Sequence, residues 1–531
     1  MGTILKDKKK FQPWKGNANL ENLKKFQGFL SRLKKSVLDD SVYNQIRPTA
    51  AVTPTVYGLP KVHKDNVPLR SILISIGILT YQCASWLSKS LKELRRHPST
   101  EKDTFHFIKI IADHELGCNH ITCSFDVKNL FTNIPIDFTV NLIVDKVFAD
   151  KKSKFHGLNR MELRKMLNWT CTNIVLQFNE KYYTQVDGVA MGSPIAPLMA
   201  DVFMNWLIDN ANKIGCSPQI ICRHVDDIFC TFDSKEKIDQ FFYNLNKFHS
   251  NVNFSKEVEA DGQMAYLDVL LTKTETGIES TTYRKNTHNG LYNKWERLSP
   301  IQYKKNIIQS SLHRSYEICS SYQLIHKEFQ NTKSCFLTNR YPDWFIEKQI
   351  KIFLNKRYKN TPKNKQEKTT DIRKILLYLP YLGETSLQLE KELRNVFRKY
   401  LKELAHLSLI HKTHTIGDHF KYKDNQAHLE RSNVVYKLKC SCGHSYIGQT
   451  QRNLKFRLDE HNPLKSNHQA TDVVKHLYTY PDHFMDFKNP KILASAFNYR
   501  ELLIEETLLI QTQQPEINVD NFSTPLYLFN A

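Results

Sequence analysis

Apolar residues recur at helical spacing through "ENLKKFQGFLSRLKKSVLDD" (21–40), which predicts a mostly helical, basic segment over residues 20 to 45. Pro48, Pro54, Pro60 and Pro68 then break the periodicity, so the stretch up to residue 70 reads as loop with short extended pieces. From about 70 to 270 helical and strand-like stretches alternate. "HITCSFDV" (120–127) and "IICRHVDDIFCTF" (220–232) carry the aromatic and β-branched residues of strands. "PIAPLMADVFMNWLIDNA" (194–211) is apolar nearly all round after its prolines, as a buried helix must be. "KIDQFFYNLNKFH" (237–249) predicts a helix and "MAYLDVLLTKT" (264–274) a strand. The mixture specifies an α+β core and excludes a helical solenoid or a β-sandwich.

The pattern changes after residue 300. "FIEKQIKIFLNKRYKNTPKNKQEKTTD" (345–371) predicts a helix breaking into a basic linker, and "YLPYLGETSLQLEKELRNVFRKYLKEL" (378–404) predicts a strand, a turn and a long helix. Residues 411–432 are polar and unpatterned. The expected units are an N-terminal helical segment (1–50), an α+β core (51–290), a helical region with a basic linker (291–410), a linker (411–432) and a compact final unit (433–520).

Composition narrows the partners. The formal charge is +21, from 75 Lys plus Arg against 54 Asp plus Glu, which favours nucleic acid or another anionic surface. No run approaches the length of a membrane span, and the start lacks the apolar core of a signal peptide, so no membrane partner is expected and the protein is read as soluble and intracellular. The 11 cysteines are scattered apart from "CSC" at 440–442, which suggests reduced thiols and a metal site more than a disulfide framework. "KDKKK" (6–10) suits nuclear entry after cytoplasmic synthesis, or simply a solvated start.

Two sets of residues carry chemistry. Asp126 ends one apolar strand candidate, and Asp226 and Asp227 end another. An Asp-Asp pair between strands is by itself most often a hairpin turn, and Asp126 by itself a strand-end acid or helix cap. If the strands are neighbours, the three carboxylates meet where two divalent ions could sit and assist nucleotidyl transfer. "QVDGVAMGSPIAPLMADVF" (185–203) places Gly188 and Gly192 where a backbone could pass close to a base pair, and "YGLPKVHKDNVPLR" (57–70) supplies Lys61, Lys64 and Arg70 for a triphosphate.

In order along the chain, "YGLPKVHK…PLR", "FDVKNLFTNIP", "GVAMGSP", "RHVDD" and "YLDV" resemble the fingers, palm and primer-grip motifs of the reverse transcriptases of Penelope-like retroelements, relatives of telomerase reverse transcriptase. The resemblance spans roughly residues 50 to 320. It implies a right-hand polymerase fold with Asp126 and Asp226 as principal ligands of Mg2+ (or Mn2+) and Asp227 as the adjacent carboxylate. Arg70 and Lys61 would meet the incoming dNTP, and Phe131 would be the steric gate that excludes a 2′-hydroxyl. Gln185, Gly188 and Gly192 would line the templating pair, and Leu267 and Asp268 would join the primer grip. The 300–400 region would act as a thumb. Two departures are Ser71, where the family has Pro, and His224, where it has Tyr. The leading segment is short for this family, whose pattern leaves room for a further template-binding domain upstream.

The final unit begins "VVYKLKCSCGHSYIG" (434–448) and continues "QTQRNLKFRLDEH" (449–461). Tyr436, Arg457 and Glu506 could supply the base, cation and metal-bound carboxylate of phosphodiester cleavage, while each alone reads as packing or solvated surface. Their order resembles a small α/β GIY-YIG endonuclease domain, which Penelope-like elements carry after the reverse transcriptase. That resemblance makes Tyr436 and Tyr446 the motif tyrosines, Arg457 the transition-state arginine and Glu506 the metal-binding glutamate. Asn518 would be the trailing asparagine at the substrate. Cys440, Cys442, His461 and His476 form a candidate Cys2His2 zinc set, with His461 alternatively at the scissile phosphate and His444 alternatively a ligand. The expected activity is RNA-directed DNA synthesis on an RNA template from a DNA primer, coupled to nicking of target DNA. The alternative is a decayed or domesticated nucleic-acid-binding protein, and Phe131 disfavours an RNA-dependent RNA polymerase.

Overall fold

A computed structural model describes residues within 2–519, apart from short stretches of which the longest are 115–119, 359–372, 416–427 and 465–470. At its centre lies a four-stranded antiparallel sheet in the order Ile220–His224, Asp227–Phe232, Ile121–Val127, Phe254–Val258. Both faces are covered. Ile228, Cys230 and Phe232 point into a core built with the helices Ile136–Val147, Ala196–Lys213 and Lys235–Lys247. Phe229 points the other way, onto Phe107 of the helix Thr104–Asp113 and onto Met264, Tyr266 and Val269. Burial on both faces explains why this strand is apolar at successive positions where a half-exposed strand would alternate.

The helix Ala196–Lys213 is buried nearly all round, as its sequence predicts, and turns two polar residues, Asp201 and Asn205, inward. "MAYLDVLLTKT" is not one strand. It folds into Gln263–Tyr266 and Val269–Thr274, joined by a tight turn in which Leu267 takes a φ of 54°, and Gly277–Thr282 completes a three-stranded sheet. Asp268 in that turn accepts a hydrogen bond from Thr104 Oγ1 at 2.7 Å and pairs with Arg314.

The N-terminal segment is helical over Ala18–Ser36 and Asp40–Ile46, but it also supplies a strand. Phe11–Trp14 forms the edge of a sheet with Lys181–Gln185 and Val175–Phe178. That small sheet shares an apolar core with the hairpin Val56–Pro60 and Leu69–Leu73, through Phe11, Val56, Leu73 and Leu176. Three helices follow, Ile301–Ile318, Tyr322–Thr338 and Asp343–Tyr358, packed around Leu312, Phe329, Phe336 and Phe345. The expected linker around 360–370 lies outside the described residues. Beyond it, Arg373–Pro380 and Ala405–Lys412 pair in parallel and flank the helix Glu384–Tyr400.

The final unit has its own core. Val434–Lys439 lies between Ser445–Thr450 and Lys491–Ser495, with the helices Leu454–His461, Asp472–Thr479 and Tyr499–Gln513 around them. Tyr436 and Tyr446 fall on strands, and Arg457 and His461 on successive turns of one helix, as the sequence predicts.

Candidate active sites and metal centre

The Asp-Asp stretch is a hairpin turn and also a meeting point of carboxylates. Val225 at the tip has a φ of 59°, a left-handed conformation that β-branched residues avoid. A buried arginine offsets the strain: Arg223 Nη1 donates to Val225 O at 2.9 Å and to Asp201 Oδ1 at 3.1 Å. Its Nη2 donates to Asn205 Oδ1 at 2.7 Å and Thr100 Oγ1 at 2.9 Å. The turn is therefore anchored to the inward face of the buried helix. Two residues beyond Val225, Asp227 stands opposite His224 on one side and opposite Asp126 on the other.

This placement raises the proton affinity of the turn carboxylates. Burial, then repulsion from Asp226 and Asp126, pushes Asp227 up to about 7, against the pull of Lys285. Burial and then the Asp126 charge also raise Asp226, which Arg70 and Lys61 pull back down. The hairpin bearing Arg70 thus faces the acids, and Lys61 approaches them from its loop, where its N–H donates to Pro68 O at 2.9 Å. Lys64 lies outside the described residues. Hard oxygen donors crowded against one another, with cations at the rim, fit a divalent ion such as Mg2+ and a polyphosphate.

Phe131 sits in a single helical turn, Leu130–Asn133, directly after the Asp126 strand, half-buried against the main core. Its carbonyl accepts a hydrogen bond from Val189 N at 2.7 Å. The two glycines permit close approaches of the chain's own backbone. A Cβ on Gly188 (φ 77°) would lie 2.6 Å from Thr132 O, and one on Gly192 (φ 108°) would collide with Leu73 O. Gln185, also assigned to the templating pair by sequence, donates through Nε2 to Gly188 O at 2.9 Å. Gln185, Gly188 and Gly192 therefore build a joint that locks the Arg70 hairpin and the Phe131 turn to one loop.

A second cluster lies in the final unit. Tyr436 Oη is 2.7 Å from His461 Nε2, and His461 Nδ1 is 3.0 Å from Thr471 Oγ1. Burial, then the Arg457 charge, lowers His461 to about 3, while burial pushes Tyr446 up to about 12 and Tyr436 well above its usual value. A neutral imidazole therefore shares a hydrogen bond with a protonated phenol, Tyr436. The charges of Arg457 and Glu506 both act on the two tyrosines, the arginine favouring the phenolates and the glutamate opposing them. Gly448 explains the crowding, since a Cβ there would lie 2.9 Å from each tyrosine hydroxyl. Glu506 is buried in the helix Tyr499–Gln513, and a carboxylate there suits a divalent ion that keeps most of its waters. Asn518 is placed differently from expectation. Its amide is engaged on the main chain, accepting from Ile447 N at 2.9 Å and donating to Ile447 O at 2.8 Å, so it braces the Tyr446 strand.

The structure also corrects the metal set. Cys440, Cys442, His476 and His483 present ligand atoms all within 4.8 Å of one another. His476 Nε2 is 3.4 Å from Cys440 Sγ, 3.6 Å from Cys442 Sγ and 3.2 Å from His483 Nδ1. The edges of a tetrahedron around zinc are about 3.5 Å for S to N and about 3.3 Å for N to N. The three spacings from His476 match those edges, and the four donors make an S2N2 set. His461 is excluded because both its nitrogens are engaged elsewhere, and His444 is not among the clustered donors. The turn that carries the cysteines is tied to the His483 segment by Ser441 N to Phe484 O at 2.9 Å and by Phe484 N to Ser441 Oγ at 3.0 Å.

Residues 65–259, which hold Arg70, Asp126, Asp226 and Asp227, match the family described as reverse transcriptase (RNA-dependent DNA polymerase). The chain carries a reverse-transcriptase-like domain. Residues 291–351 match the family described as animal helix-turn-helix domain, over the three-helix region. No curated protein matches the chain. Among solved structures it is similar to telomerase from Candida albicans in complex with a telomeric RNA fragment, at 10% identity over 67% of this chain and 68% of that one, with a TM-score of 0.42. Candida tropicalis telomerase in a like complex gives 10% identity, 64% and 66% coverage and a TM-score of 0.37. A Sicinivirus RNA-dependent RNA polymerase gives 11% identity, 65% and 86% coverage and a TM-score of 0.38.

Sequence reasoning missed the supports of the reverse-transcriptase-like centre. Besides Arg223 and Asp201, these are Glu101 and Tyr266. Tyr266 Oη donates to Glu101 Oε1 at 3.0 Å and lies 3.1 Å from Asp227 O, while Glu101 N donates to Arg223 O at 3.1 Å. The available signal was an arginine inside an otherwise apolar strand, a residue that needs buried partners or none.

Proposed function

We propose that this chain copies RNA into DNA and that its final unit nicks the DNA that primes the copy. The polymerase half rests on one observation, the convergence of Asp126, Asp226 and Asp227 under the charges of Arg70 and Lys61. Bound Mg2+ would lower the pKa of the primer 3′-hydroxyl and carry charge on the phosphoryl oxygens. The three aspartates would hold the ions, Arg70 and Lys61 would bind the triphosphate, and the Phe131 ring would exclude a ribose 2′-hydroxyl. Primer extension on poly(rA)/oligo(dT) with Mg2+ tests this. Equal extension by Asp226→Ala and the parent protein would sink it.

The cleavage half rests on the cluster of Tyr436, Tyr446, His461, Arg457 and Glu506, which suits a GIY-YIG endonuclease of a Penelope-like retroelement. Arg457 would stabilise the charge that develops on the phosphate, the phenols would orient the phosphodiester, and Glu506 would hold a divalent ion. Zinc on Cys440, Cys442, His476 and His483 would be structural, since four protein donors leave no open position. Together these activities describe target-primed integration in the nucleus. Loss of nicking in Glu506→Ala with extension retained supports the pairing, and loss of both activities would refute two separate centres.

A further inference from the structure

The geometry points to a binding site for duplex DNA backbone shared between the N-terminal helices and the final unit. The inference rests on the cleavage reading of the final unit and adds where its substrate is held. A cavity of about 620 Å3 is lined by Tyr43 and Arg47 from one end of the chain and by Gln449, Arg452, Arg457 and Tyr499 from the other. Arg457 lines the cavity and its charge acts on both buried tyrosines, so the cavity begins at the candidate cleavage centre.

Its charge is positive. Arg452 and Arg457 share one carboxylate, Glu460, at 2.7 and 3.2 Å. Arg47 is exposed just beyond the helix Asp40–Ile46, and among the described residues its guanidinium pairs with no carboxylate. Three arginines, of which two share Glu460, leave the lining positive, flanked by amide, hydroxyl and phenol groups that can donate to phosphate oxygens. A phosphodiester strand leaving the scissile position would cross from Arg457 to Arg47, onto a helix packed against the core that also holds the polymerase acids. The cut strand would then stay bound to the molecule that extends it.

The test uses the full-length chain in a Glu506→Gln background, with Ca2+ in place of Mg2+, and reads the anisotropy of a labelled DNA duplex across a salt series. Arg47→Glu is expected to weaken duplex binding about tenfold at 0.1 M salt and to flatten the salt dependence by about 0.9 for the lost contact. Arg47→Lys should recover most of the affinity, and an unchanged melting temperature shows that the fold is intact. Parental binding by Arg47→Glu beside weakened binding by Arg452→Glu would confine the site to the final unit and overturn the proposal. Weakened binding of single-stranded RNA with duplex binding unchanged would overturn it too. If the Glu506→Gln parent still nicks DNA in Mg2+, the cleavage reading falls while the binding comparison stands on its own.

Discussion

Asp126 and Asp227 stand opposite each other on adjacent antiparallel strands, with Asp226 one residue away at the hairpin tip. Like charges in register on a sheet destabilise it, so this arrangement costs stability unless a cation sits among them. Each carboxylate should therefore matter far more to catalysis than to folding. Asp126→Asn and Asp226→Asn are expected to lower extension by about 10^3-fold or more, from several kcal/mol of lost charge stabilisation, with no fall in melting temperature in metal-free buffer. A melting temperature that drops in step with activity would assign the acids a structural role.

Arg223 has the opposite profile. It is fully buried, and its donors reach Asp201, Asn205, Thr100 and Val225 O, so truncation leaves those acceptors short of a donor while Asp201 keeps its second arginine, Arg95, at 2.6 Å. Arg223→Met should destabilise the protein by about 1–3 kcal/mol, seen as a lowered denaturation midpoint. Arg223→Lys should rescue it only in part, because a single ammonium cannot span the fork that the guanidinium fills.

How much of this was legible in the sequence depends on how local each signal is. The turn at Asp226 and the buried helix at 196–213 were readable, since turn chemistry and all-round apolarity are written within a few residues. Arg223 was not, because its partners Asp201 and Asn205 lie on a separate helix and only the fold brings them together. The edge strand Phe11–Trp14 contains Pro13, which argues against a strand except at an edge, the place it occupies. The turn at Leu267 was hidden because leucine rarely takes a positive φ. His483 was not legible, because only the fold brings its segment against the turn that carries Cys440 and Cys442.

Glu101 shares its pH window with Asp227, so a substitution is what separates its contribution. Burial pushes it up to about 7, against the lowering by its hydrogen bond from Tyr266. The folded state keeps this proton to about pH 7, whereas the unfolded chain releases it near 4.5. Stability therefore falls as pH rises through that window, and the loss, about 3 kcal/mol, is complete above pH 7. Glu101→Gln keeps an acceptor for Tyr266 and has no proton to lose. It should melt like the parent at pH 4 and above it at pH 8. Parallel melting curves at the two pH values would remove Glu101 as the source.

The two histidine assignments in the final unit separate in one experiment. His483 contributes a donor to the Cys440, Cys442 and His476 cluster, whereas His461 is held by Tyr436 and Thr471. Purified protein should contain about one zinc per chain. His483→Ala and Cys442→Ser should lose that zinc and lower the melting temperature, since ligation free energy is folding free energy. His461→Ala should keep the zinc and instead lose nicking, because Tyr436 loses the hydrogen-bond partner that orients its hydroxyl. Elemental analysis of the three variants decides the ligand set independently of activity. Zinc lost from His461→Ala and retained in His483→Ala would restore the ligand set read from sequence.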